Sequence, residues 1–348
     1  MLISHAKAAI LVAQKKPLIV DEIKLPNCLE VGQILVKIDV SGICGSQLGE
    51  IDGVKGKDEY LPHLMGHEGS GTILEIGPGV STKKPGDRVI LHWRKGAGIQ
   101  SQVPKYKWHD KELNAGNITT FNSHAIISEN RCTPINHDIT NEEASLFGCA
   151  ITTGFGVIEN NAKAKMGESV VVMGAGGIGL NIIQAANLMS CWPIIAVDLV
   201  DSRLHLSKKM GATHTINSRG SDPEKLIREI LNKQELDIFI DNTGLPSLIE
   251  MGYRLTHSEG RVVLVGVPSK GANISIYSLP LHFGKVITGS HGGECNPDKD
   301  IPRYIKLLKE GKYKLKDLIT SRFKLENINE AIACMREGKT AGRVLIDM

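Results

Sequence analysis

Between residues 168 and 289 the chain repeats one rhythm, a short apolar run followed by a helical pattern. "SVVVMG" leads into "GGIGLNIIQAANLM", "PIIAVD" into "SRLHLSKKMGA", and "HTIN" into "DPEKLIREILNK". "LDIFIDN" then precedes "LPSLIEMGYRLT", and "RVVLVGV" and "KVITGS" close the series. Runs that are apolar throughout suit strands covered on both faces, and helical crossovers make neighbouring strands parallel. Six such strands predict an α/β region with a doubly wound parallel sheet. Asp222 is placed to cap the helix after the third strand, with Pro223 at its first position.

The turn after the first strand reads Gly174-Ala175-Gly176-Gly177-Ile178-Gly179. Glycine is common here, 37 of 348 residues, so the spacing alone is weak. Between a strand and a helix it gains meaning, because glycines there allow a tight turn, close approach of a pyrophosphate and packing of helix on sheet. Asp198 ends the second strand, where a carboxylate accepts from the adenosine ribose hydroxyls and repels the extra phosphate of NADP. NAD is therefore the expected dinucleotide of a Rossmann domain. Arg203 could pair with a ribose hydroxyl or a phosphate, or be a solvated helix residue.

The first 140 residues differ. "ILVKIDV" (34 to 40) alternates apolar and polar residues as a half-buried strand does, and "GTILEIGPGV" and "DRVILHW" add strand signals between Gly and Pro turns. An irregular, mostly β domain follows. The strand at 34 to 40 is expected to break at Ser41-Gly42, where "SGICGSQLGEIDG" sets Cys44 and Ser46 among four glycines. Cys44 could be a buried filler, a nucleophile, a redox thiol or a metal ligand. The seven cysteines are scattered without C-x-x-C pairing, so they form no disulfide framework. Cys44, His67 in "GHEGSG" and Cys149 in "GCAITTGFG" together supply the mixed Cys and His set of a three-ligand catalytic zinc site with an open fourth position.

These motifs, in the order "GICGS", "GHEGSG", "PGDRV", "GCAITTGFG", "VMGAGGIG", "AVD" and "GSHGG", resemble the zinc-containing medium-chain dehydrogenase/reductase family of alcohol and polyol dehydrogenases over nearly the whole chain. The resemblance implies a GroES-like catalytic domain at 1–147, a Rossmann domain at 148–289, and a return to the catalytic domain at 290–348. It implies Cys44, His67 and Cys149 as ligands of one catalytic zinc, Glu68 as a carboxylate that shields or transiently binds it, and Ser46 as the hydroxyl at the substrate oxygen. Thr153 matches the position that packs against nicotinamide. Gly45, where other branches carry a basic residue, resembles the polyol and sugar branch. A homodimer or homotetramer is implied, and Trp93 is expected to line the substrate pocket or to be core.

Some positions depart from the pattern. Residues 92 to 124 hold no cysteine, so no second, structural zinc is expected and the lobe must be held by packing or be partly mobile. Gln47 replaces an aspartate that would accept from His67, and its amide can still accept with less polarisation of the imidazole, while Gly49 replaces a relay histidine. The lobe carries Arg94, Lys95, Lys105, Lys107 and Lys111, a solvated face or an attractor for an anionic substrate. A formal charge of +3 gives no reason to expect nucleic acid or an anionic membrane as partner. With no spanning run and no signal-peptide pattern, the cytoplasm is expected. The expectation is an NAD-dependent oxidoreductase acting on a small alcohol or sugar. A zinc-free reductase of activated double bonds and a silent nucleotide-binding protein remain as alternatives.

Overall fold

A computed structural model describes residues 3–135 and 138–348. The chain divides into two compact units, one formed by 1–149, 296–306 and 319–348 and the other by 150–295 and 307–318. The stretch 307–318 thus groups with the second unit, whereas the sequence boundary returns everything after 290 to the first.

The first unit begins with strands β1 (His5–Leu11), β2 (Ile19–Lys24) and β3 (Gln33–Ile43), followed by helix α1 (Gly45–Ile51). Next come β4 (His63–Leu64), β5 (Glu68–Ile76), β6 (Arg88–His92), β7 (Tyr106–Trp108), β8 (Lys111–Leu113), β9 (His124–Ser128), β10 (Cys132–Pro134) and α2 (Asn141–Leu146). The second unit carries α3 (Ala150–Gly156), β11 (Val170–Met173), α4 (Gly177–Leu188), β12 (Ile194–Asp198), α5 (Asp201–Lys209), β13 (His214–Asn217) and α6 (Pro223–Leu231). It continues with β14 (Leu236–Asp241), α7 (Pro246–Leu255), β15 (Thr256–Leu264) and β16 (Val286–Gly289). Helix α8 (Pro297–Lys309) follows, and β17 (Ile319–Lys324), α9 (Ile328–Arg336) and β18 (Arg343–Asp347) complete the first unit.

In the second unit six parallel strands run in the order β13-β12-β11-β14-β15-β16, as the sequence rhythm predicts. Phe239, Val171 and Val262 from the sheet pack with Ile227 and Met251 from α6 and α7 in one buried cluster. Asp222 accepts from the N–H groups of Glu224 and Lys225, so the predicted cap starts α6.

Two sheets build the first unit, β4-β1-β2-β7-β8 and β10-β6-β5-β3-β18-β17, with β9 also on β3. Strand β3 corrects the expected break at Ser41-Gly42. It runs on to Ile43, because Ser41 and Gly42 pair with Ile346 and Leu345 of β18 on one side while Ser41 also pairs with Gly69 of β5. The lobe at 92 to 124 is held by packing. Its β7-β8 hairpin joins the first sheet, Tyr106 and Leu113 are fully buried, and the Trp108 indole donates to Asp21 at 2.8 Å. No helix among the described residues is long and apolar enough to cross a membrane.

Candidate metal and nucleotide sites

Cys44 stands where β3 hands over to α1, as the helix N-cap with φ −106°. Its N–H donates to the Gln47 side-chain oxygen at 2.8 Å, and the Gln47 N–H donates back to the Cys44 carbonyl at 3.0 Å. Gln47 therefore fixes Cys44, rather than accepting from His67. The glycines around the thiol do not make it a loose turn either. Gly42 is strand and Gly45 and Gly49 are helix, and only Gly53 takes a positive φ, 71°. What Gly42 supplies is room, since a Cβ there would sit 2.7 Å from the Glu68 carboxylate.

His67 lies between β4 and β5, and Glu68 opens β5. Cys149 reaches the same place because Gly148 lets the backbone press onto β5 and β6; a Cβ there would run into the Leu91 carbonyl and lie 2.8 Å from the Glu68 Cα. One ligand atom each of Cys44, His67 and Cys149 falls within 4.8 Å of the others. Both cysteines are buried and His67 is half-buried, so the donor set has one partly open side. The Cys44 thiol is held well below its ordinary range, chiefly by its hydrogen bond with Cys149 and then by His67, against its burial. Cys132 and Cys191 show the contrast, their thiols pushed up by burial to about 12 and about 11. Two sulfurs and one imidazole nitrogen, with one sulfur already biased to the thiolate, fit a zinc ion.

Arg343 of β18 was not singled out by the sequence. Its guanidinium pairs with Glu68 Oε1, with side-chain exposures of 3% and 0%, and it also contacts the Cys44 side chain. Glu68 is thus anchored by a buried cation and stands outside the three-atom cluster. The signal was present in "GRVLID", a polar residue at the head of an apolar C-terminal strand, but nothing local shows where that strand docks. Ser46 sits half-buried in the first turn of α1. Trp93, half-buried just after β6, has the Arg94 guanidinium 5.9 Å from its ring centre, and its carbonyl accepts from Arg131.

In the second unit the glycine turn follows β11 directly. Gly174 has φ 91°, Gly176 caps α4, and Gly179 faces the Gly174 carbonyl so closely that no Cβ fits. Gly177 and Ile178 form the first turn of α4, whose free N–H groups suit an anion. Asp198 accepts from the Ala175 N–H at 2.8 Å and from the Val200 N–H at 3.0 Å. Arg203 folds back to 3.8 Å from its carboxylate, so it is not simply a solvated helix residue. Thr153 is buried in α3.

Residues 30–137 match the alcohol dehydrogenase GroES-like domain, and 177–310 match the zinc-binding dehydrogenase domain. The chain belongs to the zinc-type medium-chain dehydrogenase family. This dehydrogenase is 28% identical to S-(hydroxymethyl)glutathione dehydrogenase of Paracoccus denitrificans over 98% of the chain and 100% of that protein. Among solved structures it resembles benzyl alcohol dehydrogenase of Acinetobacter calcoaceticus, with a TM-score of 0.88 and 28% identity over 99% of this chain and 100% of that one. An alcohol dehydrogenase zinc-binding domain protein from Burkholderia ambifaria matches with the same score and identity over 99% of both chains. Alcohol oxidoreduction is the chemistry of this family, and its matching domain is that of a zinc-binding dehydrogenase.

Proposed function

We propose that this dehydrogenase interconverts a small alcohol and its carbonyl compound using one zinc per chain, held by Cys44, His67 and Cys149, and NAD. The observation that carries the reading is the convergence of two thiols and an imidazole within 4.8 Å on an otherwise buried wall. When bound, zinc supplies Lewis-acid polarisation of the alcohol oxygen and the nicotinamide supplies the hydride acceptor.

The chain's own residues do the rest. Ser46 takes the hydroxyl proton of the substrate, and Glu68, held by Arg343, places a fixed negative charge beside the ligand set. The N–H groups at the start of α4 take the pyrophosphate, Asp198 takes the adenosine ribose, and Thr153 packs the nicotinamide. Gly45 favours a secondary alcohol of polyol or sugar type, because its Cβ direction opens onto free space beside Cys44. Trp93 serves as a wall for that substrate. The unpaired outer edge of β16 and its exposed Val286 support a homodimer or homotetramer, and seven free cysteines support a cytoplasmic site.

Elemental analysis should find about one tightly held zinc per chain. Cys44→Ser, His67→Ala and Cys149→Ser should each lose it together with NADH formation on an alcohol panel, while NAD binding persists. The panel includes polyols, benzyl alcohol and S-(hydroxymethyl)glutathione. Full turnover in any of the three variants would overturn the assignment.

A further inference from the structure

A second group of ligating side chains lies in the first unit, apart from the Cys44 set. Glu50 near the end of α1, Asp58 in the following loop and His63 at the start of β4 bring one ligand atom each within 4.8 Å of the others. The His63 side chain is 9% exposed. Its Nδ1 lies 2.9 Å from the Leu64 carbonyl oxygen, which can only accept, so Nδ1 carries a proton. In the neutral ring Nε2 is then a lone pair. That lone pair faces Asp58 Oδ2 at 2.9 Å and Glu50 Oε1 at 3.7 Å, both of which are acceptors when ionised. A proton on Nε2 would bridge to Asp58 but leave Glu50, at 3.7 Å, beyond hydrogen-bond reach, whereas a divalent cation satisfies all three donors.

The support around them is also in place. An imidazole that donates its remote N–H to a backbone carbonyl is the usual setting of a metal-ligating histidine. Gln14 holds the loop from both sides, its oxygen accepting from the Asp58 N–H at 3.3 Å and its amide donating to the Gly56 carbonyl at 2.9 Å. Asp58 Oδ1 is occupied by the Tyr60 N–H at 2.8 Å, which leaves Oδ2 for the cluster.

We propose that Glu50, Asp58 and His63 bind a divalent cation of the zinc, manganese and cobalt class, with water completing its shell beside Glu50. One imidazole among carboxylates favours these ions over calcium and magnesium, which take oxygen ligands. Glu50 is 45% exposed, so the ion exchanges with solvent more readily than one held by Cys44 and Cys149. Bound there, it pins the loop after α1 to β4, the strand that leads into His67.

The test titrates cobalt into the zinc-loaded, full-length protein at neutral pH and counts bound metal by equilibrium dialysis. About one additional cobalt per chain should bind without zinc release and without a sulfur-to-cobalt charge-transfer band. Glu50→Gln, on the exposed side and harmless to the fold, should weaken that binding at least tenfold, as should His63→Gln. No additional cobalt at millimolar concentration would show that a proton on His63 is the only cation there and would overturn the proposal. Equal affinity in wild type and Glu50→Gln would overturn it as well.

Discussion

Replacing Arg343 with methionine removes a fully buried cation that pairs with the Glu68 carboxylate. Methionine fills most of the same volume, so the loss is electrostatic. Breaking a buried ion pair by deleting one partner costs about 3–5 kcal/mol, because the other charge stays desolvated and uncompensated. With a urea dependence of about 2 kcal/mol per molar for a unit of this size, the unfolding midpoint should fall by about 2 M. Trp93 and Trp108 lie in the first unit and Trp192 in the second, so fluorescence weighted to the first two follows the right transition. The comparison belongs to metal-free protein, since Arg343 also touches Cys44.

The double variant Glu68→Gln/Arg343→Met decides the cause. With neither charge present, more than half of the lost stability should return. The single variant should also show a pH dependence that the double lacks. A buried, unpaired carboxylate has its folded pKa raised, so the folded state binds more protons than the unfolded one, and the deficit shrinks as pH falls. A midpoint shift under about 0.5 M, or a double variant as weak as the single, would refute the reasoning.

Burial pushes His92 down to about 4, against an unfolded value near 6.5, so the ring is neutral in the fold. Its stabilising share is complete above pH 6.5 and should be lost by about 3 kcal/mol as pH falls to about 4; His92→Gln should flatten that slope in acid unfolding. Asp198→Ala should weaken NAD and admit NADP, because Arg203, now 3.8 Å from the carboxylate, is released to face the extra phosphate. Asp198→Ala/Arg203→Ala should lose the NADP gain, and steady-state kinetics with both dinucleotides separate the two variants. In the β7-β8 hairpin, Lys105 is 78% exposed and lies 3.5 Å from Glu112, and Lys107 points out on the same strand as the buried Tyr106. Lys105→Glu/Lys107→Glu should therefore leave kcat/KM unchanged at every ionic strength; a salt-dependent drop with anionic substrates would show instead that the hairpin steers them.

The second unit was legible because its physics is local. Strands covered on both faces, such as "VVVM" and the "IIAV" that leads into Asp198, must be apolar along the covered length, and the caps between them are written in adjacent residues such as Asp222 and Pro223. The first unit writes less of itself locally. The hairpin of β7 and β8 is spelled "YKW" and "KEL", and its strand character lies in Tyr106 and Leu113 meeting a sheet formed far away in the chain. Arg343 is the extreme case. Its role depends on β18 pairing with β3, which no spacing near residue 343 reveals.

The proposed metal-ligand set lies between these extremes, and its glycines explain why. Read along the chain, Gly42 signals a turn and Gly148 carries no signal of its own. In the fold they are places where backbone meets a neighbour that no side chain could share, Glu68 in one case and the Leu91 carbonyl in the other. Glu68 is common to both contacts, because the Gly148 position also abuts its Cα. The strand leading into Cys44 and the segment bearing Cys149 are therefore each seated against the same residue, and that residue is fixed in turn by Arg343. Spacing identifies the residue types that can hold a metal. Their convergence depends on two absent side chains and one buried ion pair, so Gly148→Ala should lose the zinc although it changes no ligand.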